Sequence, residues 1–450
     1  MTLRLYDTQS RQLKVVLTLN GVTSMYCCGP TVYRDAHVGN LRTFLLPDLI
    51  ARTLAIGGTQ VTLIQNITDV GHMSEDFQED DKMLTQALLE KIEPLAIARK
   101  YETGFHQDLA RLNINQASAY PRASESIQLM QSLISQLIDQ GFAYVGGDDS
   151  VYFDAHSYPS YGAISGNRLD SLKPGHRHES ADDFGKNFHA DWALWKSAGA
   201  RSEMVWPSPW GIGFPGWHIE CSAMSLALLN NHVDVHVGGI DLRFPHHENE
   251  RAQSNAITGT ETVDIWVHGE HLLFAGRKMS KSSGNVVLLQ DVIDRGFDPL
   301  ALRLCFLENR YRSQMDLTWA AISGANETIK RWRGKLATWG DTTEMDVDPE
   351  IESAFKNDLD TPKALIRLRA IEKSELANKR EIFLYADQVL GLKLAVGVTR
   401  KELTPQMQKL LADRLQARNE KRWRESDELR EQLEQLGLTI KDTPAGQIWS

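Results

Sequence analysis

Two hydrophobic periods alternate in the first part of the chain. Met25-Tyr26-Cys27-Cys28 and Gln60–Gln65 are short, mostly apolar runs that read as buried strands. Between them Leu45, Leu46, Leu49, Ile50 and Leu54 recur at helical spacing, and Gly57-Gly58 closes that pattern. A strand, a helix over about Leu41–Ala55 and a second strand make a βαβ unit, which binds ligands beyond the strand C-termini. Pro47 falls inside the helical pattern; it should kink the helix or sit in its first turns, because it removes a hydrogen bond deeper in.

The same reading extends outward. Leu3–Leu19 predicts a small hairpin before the first parallel strand, Lys82–Asn115 one helical stretch, and Ser124–Gln140 an amphipathic helix. Gly71–Asp81 is polar and acidic and predicts a mobile loop. Val205–Trp217 is aromatic and rich in Gly and Pro, and reads as loop. Val233–Val237 and Thr262–His268 predict two further strands. From Phe297 to about Leu390 the pattern is helical. Leu403–Leu436 predicts two helices with a turn near Arg418–Lys421, and Leu438–Lys441 a last strand.

Composition narrows the class. The 450 residues are 42% hydrophobic and 24% charged, enough for several domains around a large core. No run of 18 apolar residues exists, so no membrane span is expected. Met1–Gln12 lacks the apolar segment of a secretory signal, and four cysteines are too few for a disulfide framework, so a reducing, cytoplasmic setting is expected. A net charge of −10 argues mildly against nucleic acid, although an acidic body can carry a local basic track.

The chemistry concentrates where the first strand ends. Gly29-Pro30 breaks the strand, and His37-Val38-Gly39-Asn40 precedes the helix, whose N-terminus suits phosphate. Far downstream stands Lys278-Met279-Ser280-Lys281-Ser282. His246 and Glu250, four apart, share one face if helical, and with Cys28 and Cys221 they make a donor set suited to Zn²⁺.

His-x-Gly-Asn early and Lys-Met-Ser-Lys-Ser late, in that order, resemble class I aminoacyl-tRNA synthetases. The segments CGPTVY…HVGN, NITD, GWHIECSAM, GGIDLRFPHHENE, KMSKSSGN and DTPAGQIW resemble the cysteinyl-tRNA synthetases among them, over nearly the whole chain. The resemblance implies an α/β fold: a Rossmann-type nucleotide-binding catalytic domain with an inserted subdomain, an α-helical bundle, and a small C-terminal anticodon-binding domain. The implied boundaries are 1–115 and 206–296 for the catalytic halves, 116–205 for the insertion, 297–400 for the bundle and 401–450 for the anticodon domain.

It further implies ligation of L-cysteine to tRNA(Cys) with ATP and Mg²⁺, through cysteinyl-adenylate. Cys28, Cys221, His246 and Glu250 would hold one zinc ion that selects the substrate thiolate, with His247 set aside and Cys27 a core residue. His37, Asn40, Lys278 and Lys281 would serve the adenylation step; Gly39 would leave room for adenine, and Asp241 would lie on the ATP side. Thr68, Trp217 and His236 would line the cysteine pocket. Arg418, Trp423, Asp427, Asp442 and Trp449 would read the anticodon. Ser283 stands where the family more often has Leu. A monomer is the expected state. Two other readings compete: a cysteine-activating ligase that transfers to an amino sugar, against which residues 403–450 speak, and a non-catalytic RNA-binding relative, which would predict damage to His37, Gly39 or Lys281.

Overall fold

The computed structural model describes residues 2–70, 81–172, 185–279, 285–339, 347–376, 378–395, 403–443 and 446–449. Strands β1 (Arg4–Asp7) and β2 (Gln12–Val15) form the expected hairpin. β3 (Val22–Cys27), α1 (Val38–Ile56) and β4 (Gln60–Gln65) form the βαβ unit. Pro47 lies in the middle of α1 and is buried, not in the first turns. Buried residues surround much of this helix, so packing on several sides holds it across the missing hydrogen bond.

The helical stretch expected over Lys82–Asn115 is two helices, α2 (Lys82–Glu90) and α3 (Pro94–Arg111). Pro94 cannot sit inside a helix without clashing with a preceding carbonyl, so it opens α3, and Lys91 turns the chain with φ 57°. Proline marks other helix starts too: Asp298-Pro299, Asp348-Pro349 and Thr404-Pro405 each pair a side-chain cap with proline at the first helical position.

After α4 (Ile127–Asp139) comes an antiparallel sheet. Its strands are β5 (Ala143–Val145), β6 (Val151–Phe153), β7 (Trp192–Ser197), β8 (Trp206–Ser208) and β9 (Gly211–Pro215), in the order β5-β6-β7-β9-β8. The aromatic stretch read as loop is therefore a hairpin, and the sheet runs to Pro215, past residue 205. Gly and Pro mask the strand pattern there, but pairing of β9 with β7 fixes it.

The chain returns through α5 (Trp217–Leu228), β10 (Val233–Gly239), a 3-10 turn over Ile240–Arg243, α6 (His246–Thr258) and β11 (Val263–Gly269). β11, β10, β3 and β4 lie side by side in that order, all parallel. β4 lies on one side of β3, and β10 on the other, so the order reverses at the β3–β10 seam. Ligands bind at such a switch point, beyond the strand C-termini. Cys28, Thr68 and Asp241 all follow strand ends there.

The rest is mainly helical: β12 (Leu272–Phe274), β13 (Arg277–Lys278), α7 (Leu289–Asp294), α8 (Pro299–Leu307), β14 (Met315–Leu317), α9 (Trp319–Thr338), α10 (Pro349–Lys356), α11 (Thr361–Lys373) and α12 (Lys379–Leu390). Asp358 ties this half to the first hairpin, accepting from the Tyr6 amide at 2.9 Å and the Tyr311 hydroxyl at 2.6 Å. The last unit is α13 (Pro405–Asn419), α14 (Trp423–Gln435), β15 (Ile440–Thr443) and β16 (Gly446–Trp449), around Met407, Leu411, Leu433, Leu438 and Ile440. No helix among the described residues is long and apolar enough to cross a membrane.

Candidate metal and nucleotide site

Cys28 follows β3, Cys221 lies in the second turn of α5, and α6 begins at His246, so Glu250 is one turn on, facing the same way. Their donor atoms lie within 4.8 Å of one another, and all four residues are buried. The two sulfurs stand 3.8 Å apart, Cys28 Sγ is 3.4 Å from Glu250 Oε1, and His246 Nε2 is 3.0 Å from the same oxygen. A second set shares two of these groups: Cys28 and Glu250 with His236 and His247. His236 Nε2 and His247 Nε2 lie 3.5 and 3.3 Å from Cys28 Sγ. The other nitrogen of His247 contacts His268 at 2.8 Å.

Electrostatically the cluster is unfinished. His246 Nε2, despite its closeness to Glu250, has no well-directed hydrogen bond, and neither has Glu250 Oε2, although both are buried. Burial drives the Glu250 and Cys28 protons on, raising both well above their ordinary values. Burial alone would raise Cys221 too, but the Cys28 hydrogen bond and His246 outweigh it and hold its thiol below the usual range. His236 and His247 are pushed down by burial and by neighbouring histidines, and stay neutral. Buried acids that keep their protons, beside neutral imidazoles and a low thiol, are groups that a divalent cation would deprotonate and bind.

Sequence reasoning passed over the surroundings of this cluster. His218 Nδ1 meets His246 Nδ1 at 2.8 Å and orients that ring. Asn66 Oδ1 is 3.7 Å from Cys221 Sγ. Glu220, raised well above its ordinary value by burial and by Cys221, accepts from Thr68 Oγ1 at 2.9 Å. The Thr68 hydroxyl is thus already engaged beside the pocket. Trp217 packs its ring 4.0 Å from that of His246, and His236 stacks on Trp266. The signal for His218 was present: with Cys221 at i+3, the two share a helix face.

At the other end of the site His37 caps α1. Its Nδ1 accepts from the Asn40 amide at 3.2 Å, and Asn40 Oδ1 accepts from the His37 amide at 3.2 Å. Burial, then the Arg34 cation, lowers His37 to about 4, so the ring is neutral. With Nδ1 an acceptor, the proton sits on Nε2, which becomes a hydrogen-bond donor. The structure gives Gly39 a neighbour other than open space: a Cβ there would stand 3.0 Å from His37 Cε1 and 3.0 Å from Met279 Cε. Glycine thus lets the early motif pack against the Met of the late one. Val38 N also donates to Val287 O at 2.9 Å, and Asn285 Nδ2 to Lys278 O at 3.1 Å. Lys278 is exposed at the end of β13; Lys281 and Ser283 lie outside the described residues, as does all of the acidic segment except Asp81, which caps α2.

A cleft of about 210 Å³ joins these parts, lined by Cys28 and Trp217 and by Asn40, Thr43 and Asp241. None of the expected anticodon residues lines it. Trp423 is 56% exposed, with the Arg418 guanidinium 5.8 Å from its ring centre, and Asp427 is exposed. Asp442 is not an open acceptor: the buried Arg414 grips both its oxygens at 2.9 Å, and Arg418 adds a third bond at 2.9 Å. Its carboxylate is partly exposed and ties β15 to α13. Trp449 belongs to β16, and its side chain lies outside the described residues.

The family model for the class I (C) tRNA synthetase catalytic domain matches residues 14–327, and that for the cysteinyl-tRNA ligase anticodon binding domain matches 400–449. The chain belongs to the cysteine–tRNA ligase family of class I synthetases. Within that family it is 38% identical to a cysteine–tRNA ligase of Thermus thermophilus, over all of this chain and 99% of the relative. It is 35% identical to that of Protochlamydia amoebophila, over 99% and 97%. A Mycobacterium tuberculosis methionyl-tRNA synthetase in complex with methionyl-adenylate shares the fold at TM-score 0.56 and 14% identity, over 82% of this chain and 90% of the other.

Proposed function

We propose that the chain activates L-cysteine with ATP and transfers it to tRNA(Cys). The observation that carries the reading is the cleft that runs from Cys28 and Trp217 to Asn40 and Asp241. One cleft lined both by Cys28 and Trp217 and by Asn40 and Asp241 supports a thiol-binding end beside a nucleotide end. Cys28, Cys221, His246 and Glu250 would hold zinc; the orphaned nitrogen and carboxylate oxygen, and the two sulfurs, fit that ion. When bound, zinc supplies selectivity, since it favours a thiolate over the hydroxyl of serine.

The remaining chemistry is positioning and charge. A carboxylate oxygen of cysteine attacks the α-phosphorus of ATP, and the bond to the pyrophosphate oxygen breaks. His37 Nε2 donates to a phosphate oxygen, which a neutral ring of fixed tautomer can do. The α1 N-terminus adds the positive end of its dipole, although its Val38 and Asn40 amides are already engaged by Val287 O and His37. Lys278 and Lys281 neutralise the departing pyrophosphate, and Mg²⁺ accompanies ATP. The hydroxyl of the tRNA's terminal adenosine then attacks the acyl carbon and AMP leaves. His236 and Trp217 wall the substrate pocket, and Thr68, held by Glu220, shapes it. Residues 401–450 read the anticodon with Arg418, Trp423, Asp427, Asp442 and Trp449. A cytoplasmic monomer belongs to the same reading.

The test is Cys221→Ser, which keeps the size and removes the sulfur. Metal content and cysteine-dependent ATP–pyrophosphate exchange should both fall, by tenfold or more on the order of a lost ligand, while the melting temperature of metal-stripped protein stays put. Normal exchange in the variant would overturn the ligand set.

A further inference from the structure

One side of the cleft carries groups that cysteine activation leaves unused. The segment after β3 reaches the start of α2 there. The Arg34 guanidinium lies 5.1 Å from the centre of the half-buried Tyr33 ring, and the Lys82 ammonium lies 6.0 Å from the same ring. All three residues line the cleft, and Arg34 and Lys82 are the cations among its described lining residues. Two acids line it as well. Asp35 leans on α3, where a Cβ at Gly104 would stand 3.3 Å from its carboxylate oxygen. Asp241 stands by Gly239, beyond β10. Two cations and one aromatic ring therefore share a single rim.

Cations interleaved with an aromatic face are the usual means of holding a single nucleic-acid strand: phosphates are neutralised and a base lies on the ring. In the ligase reading the phosphates of ATP have the α1 dipole and the His37 donor. A body of net charge −10 repels RNA, so cations placed at the mouth of the site weigh more than elsewhere. We infer that Tyr33, Arg34 and Lys82 receive the single-stranded 3′ end of the tRNA, the two cations meeting backbone phosphates and the ring meeting a base. The inference rests on the reading of the chain as a tRNA ligase.

The experiment uses the full chain, with a tRNA(Cys) transcript that is either intact or trimmed of its unpaired 3′ nucleotides. In the double variant Arg34→Ala, Lys82→Ala, charging kcat/KM for tRNA falls about tenfold, and Tyr33→Ala loses about as much. Cysteine-dependent ATP–pyrophosphate exchange falls far less than charging, because burial, the larger cause of the neutral His37 ring, remains, and Arg34→Lys recovers most of the charging. Wild type binds the intact transcript more tightly than the trimmed one; the double variant does not discriminate, and its salt dependence is shallower by about 1.4 units of slope. Equal loss of exchange, with a raised KM for ATP, would assign the cations to the triphosphate and overturn the proposal. Unchanged charging and binding would also overturn it. If the double variant unfolds, Arg34→Gln alone carries the same comparison. A wild-type protein without cysteine-dependent exchange would instead sink the ligase reading, a separate outcome.

Discussion

Two of the buried polar clusters among the described residues differ in how far they are satisfied. Around Arg303, fully buried in the otherwise apolar α8, each guanidinium nitrogen has a partner. Asp48 Oδ2 accepts at 2.7 Å, and the carbonyls of Leu112, Asn113 and Leu390 take the rest. Asp48 also accepts from Arg52 and from the Asn115 amide. Around Cys28 and Glu250 the opposite holds: acids keep their protons, and His246 Nε2 and Glu250 Oε2 lack hydrogen bonds. Burying polar groups costs free energy in both places. The first cluster recovers it within the fold and joins α1, the loop after α3, α8 and the end of α12. The second leaves two buried polar atoms without a hydrogen bond, which sets a candidate ligand site apart from a structural core.

The comparison is broken most directly by stability. Asp48→Ala leaves the Arg303 cation buried without its counter-charge, and should cost about 3–5 kcal/mol in urea unfolding. Cys221→Ser in metal-stripped protein should cost well under that. Equal costs would show that both clusters are structural.

A smaller effect sharpens the second cluster. His218 touches His246 through the nitrogen opposite to the one that faces Glu250. His218→Ala frees that ring, and metal affinity should weaken by about 10–100-fold in a chelator competition. The unfolding midpoint of stripped protein should not move. An unchanged affinity would mean that the helix itself, and not His218, fixes the ring.

Why were some of these residues legible in the chain and others not? The strands around the switch point are short apolar runs, and α1 has helical spacing, so β3, β4, β10 and β11 could be placed from periodicity alone. The β8–β9 hairpin could not, because Trp206-Pro207 and Gly211–Gly213 carry turn residues, and the pairing that makes them strands comes from β7. Cys28, Cys221, His246 and Glu250 come from three separate stretches; spacing offered only His246 and Glu250 as a pair, and the family resemblance supplied the rest. Arg303 in Leu302-Arg303-Leu304 was a signal left unread: a cation in an apolar helix needs a buried partner. For Asp442 nothing in the sequence pointed to its partner: the buried Arg414, 28 residues earlier in α13, binds its carboxylate.

The smallest effect separates the clusters by pH. Glu250 in metal-free protein is raised well above its ordinary 4.5 by burial. Between the unfolded value and that raised one, the native state holds a proton that the unfolded state has released. Stability therefore falls as pH rises through about 4.5 and above, because the unfolded chain binds fewer protons there. Below about 4.5 both states are protonated and the penalty vanishes. Glu250→Gln removes the titration. In stripped protein the variant should match wild type at low pH and become more stable than it as pH rises. With metal present the order reverses, because the variant lacks a ligand that the ion would otherwise deprotonate, and affinity for the ion grows with pH in wild type. A variant less stable than wild type at neutral pH without metal would mean that Glu250, like Asp48, is held by the fold for its own sake.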